Sequence, residues 1–69
     1  MEARGEDEAV IDTKRDARAV KAFRTLLGRP QAEVAAAAAI PLRRYIKIEN
    51  GTAVPQPREW AAIWTALST

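Results

Sequence analysis

The chain has 69 residues, with 11 basic and 9 acidic side chains, and it contains neither cysteine nor histidine. Its length suits one small domain, near the lower limit for a hydrophobic core without cross-links or a metal. The composition excludes disulfides and thiolate zinc sites and lacks the commonest metal ligand and general base, so we expect no enzymatic activity, no cofactor and no metal site.

The charges are unevenly distributed along the chain. Residues 1–12 carry five acidic side chains against one arginine, a net −4, whereas residues 13–69 carry ten basic against four acidic side chains, a net +6. We expect residues 1–11 to be a disordered, solvated tail; folding of this tail over the basic domain, in competition with a ligand, is the alternative. Residues 12–69 then form the domain, whose charge favours a polyanionic partner.

The chain has none of the usual signs of membrane insertion or export. No apolar run approaches the roughly 20 residues that span a bilayer, and the acidic N-terminal residues do not resemble a signal peptide. A chain without cysteine also suits the reducing cytoplasm. We therefore expect a cytoplasmic protein with no membrane segment.

Two helices are predicted in the first half of the domain. The first begins at Asp12 or Thr13, either of which can cap it, and ends before Gly28, which tolerates the left-handed conformation. Its apolar residues recur at i, i+3 and i+7 and predict one inward stripe, made of Val20, Phe23 and Leu27. The second helix spans residues 30–38, because proline is tolerated in a first turn and the alanine run favours a helix. Its inward residues are Val34 and Ala38, with Ile40 filling the turn that follows.

Two further helices are predicted after that turn. The third runs from Leu42 to Asn50, with Gly51 as its stop, and it buries Tyr45 and Ile48. The fourth spans residues 57–68 and buries one stripe made of Trp60, Ile63 and Leu67. Trp64 lies about 40° from that stripe, so it either completes the core or projects outward. No segment alternates like a strand, and the predicted fold is all-α with four short helices.

The layout of the second and third helices is that of a helix-turn-helix. The segment reads QAEVAAAAAIPLRRYIKIENG from Gln31 to Gly51, and its second helix exposes three cations, Arg43, Arg44 and Lys47. One helix can brace the DNA backbone while the other enters the major groove. Arginine can make two hydrogen bonds to a guanine, and Arg43, near the start of the helix, is the best candidate. The plain alternative is that these cations only solubilise an exposed face.

The same segment resembles the lambda-repressor/Cro-like helix-turn-helix family, also called the XRE family. The resemblance covers residues from about 18 to 67 and is carried by Gln31, Glu33, Ala35, Ile40, Tyr45, Lys47, Ile48, Glu49, Asn50 and Gly51. Three positions depart from the family pattern. Ala39 replaces the turn glycine, Pro41 replaces the polar cap of the third helix, and Trp64 stands where a small residue is common.

The resemblance implies roles for individual residues. Gln31 would touch a phosphate and a base edge, although glutamine is also an ordinary surface residue of helices. The major-groove face would comprise Leu42, Arg43 and Lys47, while Arg44 would reach a base or a flanking phosphate and Asn50 a phosphate. Leu42 would pack on a thymine methyl or shield the turn. Arg24 and Glu49 would form a structural salt bridge between the first and third helices.

Relatives in this family commonly dimerise through their C-terminal region. We therefore expect a homodimer whose interface includes Trp64 and Leu67 of the fourth helix. The expected function is a DNA-binding transcriptional regulator, a repressor or operon autorepressor, that binds an inverted repeat in double-stranded DNA. The alternative is an antitoxin-like module that sequesters a protein partner through its C-terminal tryptophan surface.

Overall fold

Four helices account for most of the described chain. The computed structural model describes residues 13–68, and the predicted disorder of residues 1–11 lies outside them. The helices are α1 (Thr13–Leu26), α2 (Gln31–Ala37), α3 (Leu42–Asn50) and α4 (Pro57–Ser68), and residues 13–68 contain no strand. The predicted all-α fold is thereby confirmed. Within this part of the chain, no helix has the length and apolarity that crossing a membrane requires.

The first three helices end in the same way, on a residue in the left-handed conformation. This residue is Gly28 after α1 (φ 69°), Ala39 after α2 (φ 58°) and Gly51 after α3 (φ 80°). After α2, the N–H of Ala39 donates to Ala36 O (3.0 Å) and that of Ile40 to Ala35 O (2.9 Å). This is the Schellman arrangement, which satisfies carbonyls that the helix end would otherwise leave unpaired. The turn thus has a left-handed residue at position 39 although that residue is an alanine.

Glycine at position 39 is expected to stabilise the protein. The left-handed conformation costs an L-residue about 1–2 kcal/mol, and glycine avoids this cost. The greater conformational freedom of glycine in the unfolded chain offsets about 0.4–1 kcal/mol of that gain. We expect Ala39→Gly to raise the free energy of unfolding by about 0.5–1 kcal/mol in urea denaturation. The control is Ala36→Gly, at an exposed helical position of α2, which should lower it by about 1 kcal/mol. Destabilisation by both substitutions would contradict the prediction.

The core lies where α3 and α4 pack against the other two helices. It is formed by buried side chains from all four helices and the α2–α3 turn: Val20, Val34, Ala35, Ala38, Ile40, Tyr45, Ile48, Trp60, Ile63, Ala66 and Leu67. The close helix pairs are α1 with α3, α2 with α3, α2 with α4 and, less extensively, α1 with α4. The predicted inward residues of α2, α3 and α4 are confirmed. α3 is thus supported along one side by α1 and α2, and its other side is left open.

The prediction of a buried stripe along α1 is wrong for its second half. Val20 is fully buried, but Phe23 is 39% exposed and Leu27 is 44% exposed. The ring of Phe23 lies 6.0 Å from that of Trp64, which is itself 38% exposed. Because α1 packs mainly on α3, α4 covers only one side of these residues. Trp64 therefore lies at the surface.

Candidate nucleic-acid interface

The open side of α3 carries a strip of three polar side chains. Arg43, Lys47 and Asn50 are all exposed and recur at i, i+4 and i+7, which places them along one line of the helix. The strip is about 10 Å long at 1.5 Å per residue. Among residues 13–68, none of these three side chains has a hydrogen-bond or ion-pair partner, so their donors are available to a ligand. We call Arg43, Lys47 and Asn50 the α3 strip.

Two apolar side chains flank the strip. Leu42 is 44% exposed and Ile46 is partly buried. The opposite side of the helix is buried, since Tyr45 and Ile48 have no exposed surface. The exposure of Leu42 is compatible both with packing on a base methyl and with shielding the turn. α3 thus has the two-sided character of a helix that packs on its own domain and presents the other face to a ligand.

Arg44, the third exposed cation predicted on α3, is paired with an acidic residue of α4. Its Nε donates to Glu59 Oε2 (2.7 Å) and its Nη2 to Glu59 Oε1 (2.9 Å), with a longer contact from Nη2 to Val54 O (3.4 Å). Glu59 stands in the first turn of α4, and its carboxylate also accepts the N–H of Gln56 (2.7 Å). Because its guanidinium is paired with Glu59, Arg44 does not join the α3 strip, and its contact with DNA stays a prediction.

A buried carboxylate holds α3 to the two helices before it. Glu49 is only 3% exposed, and it accepts hydrogen bonds from Arg24 Nε (2.6 Å), Arg24 Nη2 (3.1 Å), Gln31 Nε2 (2.8 Å) and the hydroxyl of Tyr45 (2.9 Å). The Arg24–Glu49 ion pair that the family resemblance implies is present. We call these four residues the Glu49 network. It fixes the C-terminal half of α3 relative to α1 and α2.

Gln31 has a structural partner that the sequence analysis did not foresee. One N–H of its amide donates to Glu49. The side chain is partly buried at the start of α2. Only the other N–H remains to donate to a phosphate, since the amide oxygen is an acceptor. Gln31 therefore joins α2 to α3, and at most one donor is left for the predicted phosphate contact.

The Glu49 network favours one set of protonation states. Burial raises the pKa of Glu49, but the hydrogen bonds from Arg24, Gln31 and Tyr45 lower it by more, so that this pKa lies below its ordinary value. Burial, followed by the bond to Glu49, raises the pKa of Tyr45. A charged carboxylate and a neutral phenol are therefore the states that the fold stabilises.

The paired carboxylates of Glu49 and Glu59 make the protein less stable at acid pH. The hydrogen bonds from Arg44 and from the N–H of Gln56 lower the pKa of Glu59 from 4.5 to about 2. A carboxyl group whose pKa is lower in the folded than in the unfolded state stabilises the protein at pH values above its unfolded-state pKa. This stabilisation is lost as the pH falls towards the folded-state pKa. We therefore expect the free energy of unfolding in urea to be level above about pH 5 and to fall steadily towards pH 2. Glu59→Gln should make that fall shallower, and equal stability at pH 5 and pH 3 would contradict the prediction.

A second exposed surface lies away from the α3 strip. It consists of Phe23, Leu26, Leu27 and Trp64, which we call the apolar patch; Leu26 is the most exposed, at 80%. Leu67, which the sequence analysis placed in a dimer interface, is buried at 3% exposure inside its own core. It is therefore corrected to a core residue. Trp64 remains available at the surface, and three residues of the α1 C-terminal region join it.

Some of these contacts had weak signals in the sequence and others had none. Tyr45 and Glu49 are four residues apart on one helix, a spacing that brings side chains together. Glu59 occupies the first turn of α4, where acidic side chains often accept backbone N–H groups. Nothing local pairs it with Arg44, 15 residues earlier.

The described residues show no metal-binding arrangement, because no three acidic side chains within residues 13–68 come close enough to hold an ion. The chain matches no protein-family model, no curated protein and no solved structure.

Proposed function

We propose that this chain is a small DNA-binding transcriptional regulator of the lambda-repressor/Cro-like kind, which inserts α3 into the major groove. The observation that carries the proposal is the α3 strip, in which two cations and an amide lie on the open face of a helix whose other face is buried. The major groove is about 12 Å wide and admits an α-helix. Repression by occupying a promoter, including that of its own operon, and a cytoplasmic location are part of the proposal.

Each member of the α3 strip suits a different part of a DNA site. Arg43 can donate two hydrogen bonds to guanine, which discriminates between bases. Lys47 lies one turn further along the groove face, where its ammonium can reach a base edge or a phosphate. Asn50 is next to the helix end, and its amide can donate to a phosphate. The net charge of +6 over residues 13–69 supports binding to a polyanion through counterion release.

The apolar patch supports a homodimer. Soluble monomers seldom expose several large apolar side chains together, and a second copy of the chain would cover them. Two copies related by a two-fold axis would bind half-sites about 34 Å apart, one turn of DNA. We propose that the patch, which includes the Phe23–Trp64 ring pair, forms this interface.

Substitutions in the apolar patch are expected to weaken self-association. We expect Leu26→Gln and Trp64→Ala each to raise the dimer dissociation constant at least about tenfold in sedimentation equilibrium, because buried aromatic and aliphatic anchors dominate interfaces. Leu26→Gln is the cleaner variant, since Leu26 is so exposed that the monomer does not depend on it. Val54→Gln is the control, at a residue that is 69% exposed and outside the patch. Equal dissociation constants for all variants would contradict this interface.

The proposed function is tested by selection from a pool of random-sequence duplexes. The purified full-length protein is incubated with the pool, and the bound fraction is recovered and sequenced. We expect enrichment of an inverted repeat with half-sites about one turn apart. Retention without enrichment, or no retention at all, would overturn sequence-specific regulation.

The apolar patch also favours a second candidate function, an antitoxin-like module that sequesters a protein partner. In that case the patch would be covered by the partner and DNA binding would serve autoregulation at most. A protein that co-purifies with the wild type and is lost from both Trp64→Ala and Leu26→Gln would favour this candidate over the homodimer.

A further inference from the structure

The ion pair between Arg44 and Glu59 connects α3 to α4. Both carboxylate oxygens of Glu59 accept from the guanidinium, at 2.7 and 2.9 Å. Two parallel N–H···O bonds fix the relative orientation of the groups as well as their distance. The N–H of Gln56 donates to the same carboxylate, and Val54 O lies 3.4 Å from Arg44 Nη2. The pair therefore ties α3 to the loop before α4 and to the first turn of α4.

α3 needs such a connection near its N-terminal end. Its N-cap is Pro41, which supplies no side-chain hydrogen bond to the first turn. The Glu49 network holds the helix at its other end. Arg44 and Glu49 are five residues apart, about 7.5 Å along the axis and about 140° around it. Two attachments at different heights and on different sides determine both the tilt and the rotation of a helix.

Arg44 is poorly placed to serve as a DNA contact while this pair is intact. The side chain of Glu59 is 16% exposed, so removal of Arg44 would leave a largely covered carboxylate without its cation. The pair also adds no net charge to the surface, in contrast to the unpaired cations of the α3 strip.

We propose that Arg44 is a positioning residue: through its pair with Glu59 it sets the orientation in which α3 presents Arg43 and Lys47 to DNA. This inference rests on the proposed function and deepens it, because it separates the cations of α3 into two that meet DNA and one that orients the helix. It makes Glu59, an acidic residue outside the DNA-facing surface, a determinant of specificity.

The test is a double-mutant cycle on DNA binding with Arg44→Gln, Glu59→Gln and the double variant. The probes are the duplex enriched in the selection and a random-sequence duplex of equal length, each titrated over a range of salt concentrations. We expect each single substitution to weaken binding to the enriched duplex about tenfold, and the double variant to be no weaker than either single, because all three lose the same pair. Glu59→Gln should weaken binding although it makes the protein more positive.

Two further variants distinguish orientation from charge. Lys47→Gln should reduce the magnitude of the slope of log K against log salt by about 0.9, the effect of losing one phosphate-neutralising cation, whereas Arg44→Gln should leave that slope unchanged. Arg44→Lys keeps the charge but cannot form the bidentate pair, so it should bind the enriched duplex as weakly as Arg44→Gln. Thermal melting by circular dichroism shows that each variant is folded at the titration temperature.

The outcomes separate this inference from the proposed function. A smaller salt dependence of log K for Arg44→Gln, together with tighter binding by Glu59→Gln, would mean that Arg44 itself contacts DNA. Additive losses of affinity in the double-mutant cycle would mean that the two residues act independently. Either result overturns the inference while the wild type still binds DNA. Failure of the wild type to bind any duplex overturns the proposed function, and the inference with it.

Discussion

Substituting Glu49 with alanine is expected to lower the free energy of unfolding by about 3–5 kcal/mol, the usual effect of removing one partner of a buried ion pair. The remaining Arg24 side chain, 14% exposed, would keep a charge without its carboxylate, and the buried hydroxyl of Tyr45 would lose its acceptor. A domain of this length has a total stability of roughly 3–10 kcal/mol. Much of the variant should therefore be unfolded at room temperature.

Urea denaturation followed by far-UV circular dichroism measures this effect. The matched control is Glu33→Ala, since Glu33 is an exposed carboxylate whose Oε2 lies 3.6 Å from Arg29 Nη2, and we expect a change within about 0.5 kcal/mol. Glu49→Gln can keep part of the hydrogen bonding, so its loss in free energy of unfolding should lie between those of Glu49→Ala and Glu33→Ala. A loss below about 1 kcal/mol for Glu49→Ala would show that the network does not hold the helices together.

Substituting Arg43 with alanine is expected to relax specificity at one base pair of each half-site. A bidentate arginine–guanine contact is worth about 1–3 kcal/mol of discrimination, or roughly 5- to 150-fold in relative affinity. The fold should be unaffected, because the side chain of Arg43 is exposed and makes no hydrogen bond or ion pair within residues 13–68. The variant should therefore melt at the wild-type temperature while tolerating a changed base.

A panel of duplexes with single base changes measures this loss. Asn50→Ala is the matched control, since the removal of a phosphate contact should weaken all duplexes by a similar factor. Uniform weakening by Arg43→Ala would instead assign Arg43 to the backbone and leave base reading to Lys47 and Leu42.

Most of the fold could be predicted from local patterns. The helix ends at Gly28 and Gly51 follow from residues that tolerate the left-handed conformation. The inward residues of α3 follow from apolar side chains three positions apart, and both Tyr45 and Ile48 are fully buried. The exposure of Arg43 and Lys47 follows from the same periodicity, because it places them on the opposite face. These features depend on neighbours within one or two helical turns, and the chain order specifies such neighbours directly.

The partner of each charged side chain depended on how the helices pack. Arg43 and Arg44 are adjacent cations of one helix, yet within residues 13–68 only Arg44 meets an acidic partner, because α4 brings Glu59 to that side of α3. Phe23 continues the periodic stripe of Val20 but remains partly exposed, because α4 covers only one side of it. Helical periodicity specifies the face on which a residue lies, whereas the positions of neighbouring helices set what covers that face. Residues distant in the chain therefore acquire their partners only when the four helices have packed together.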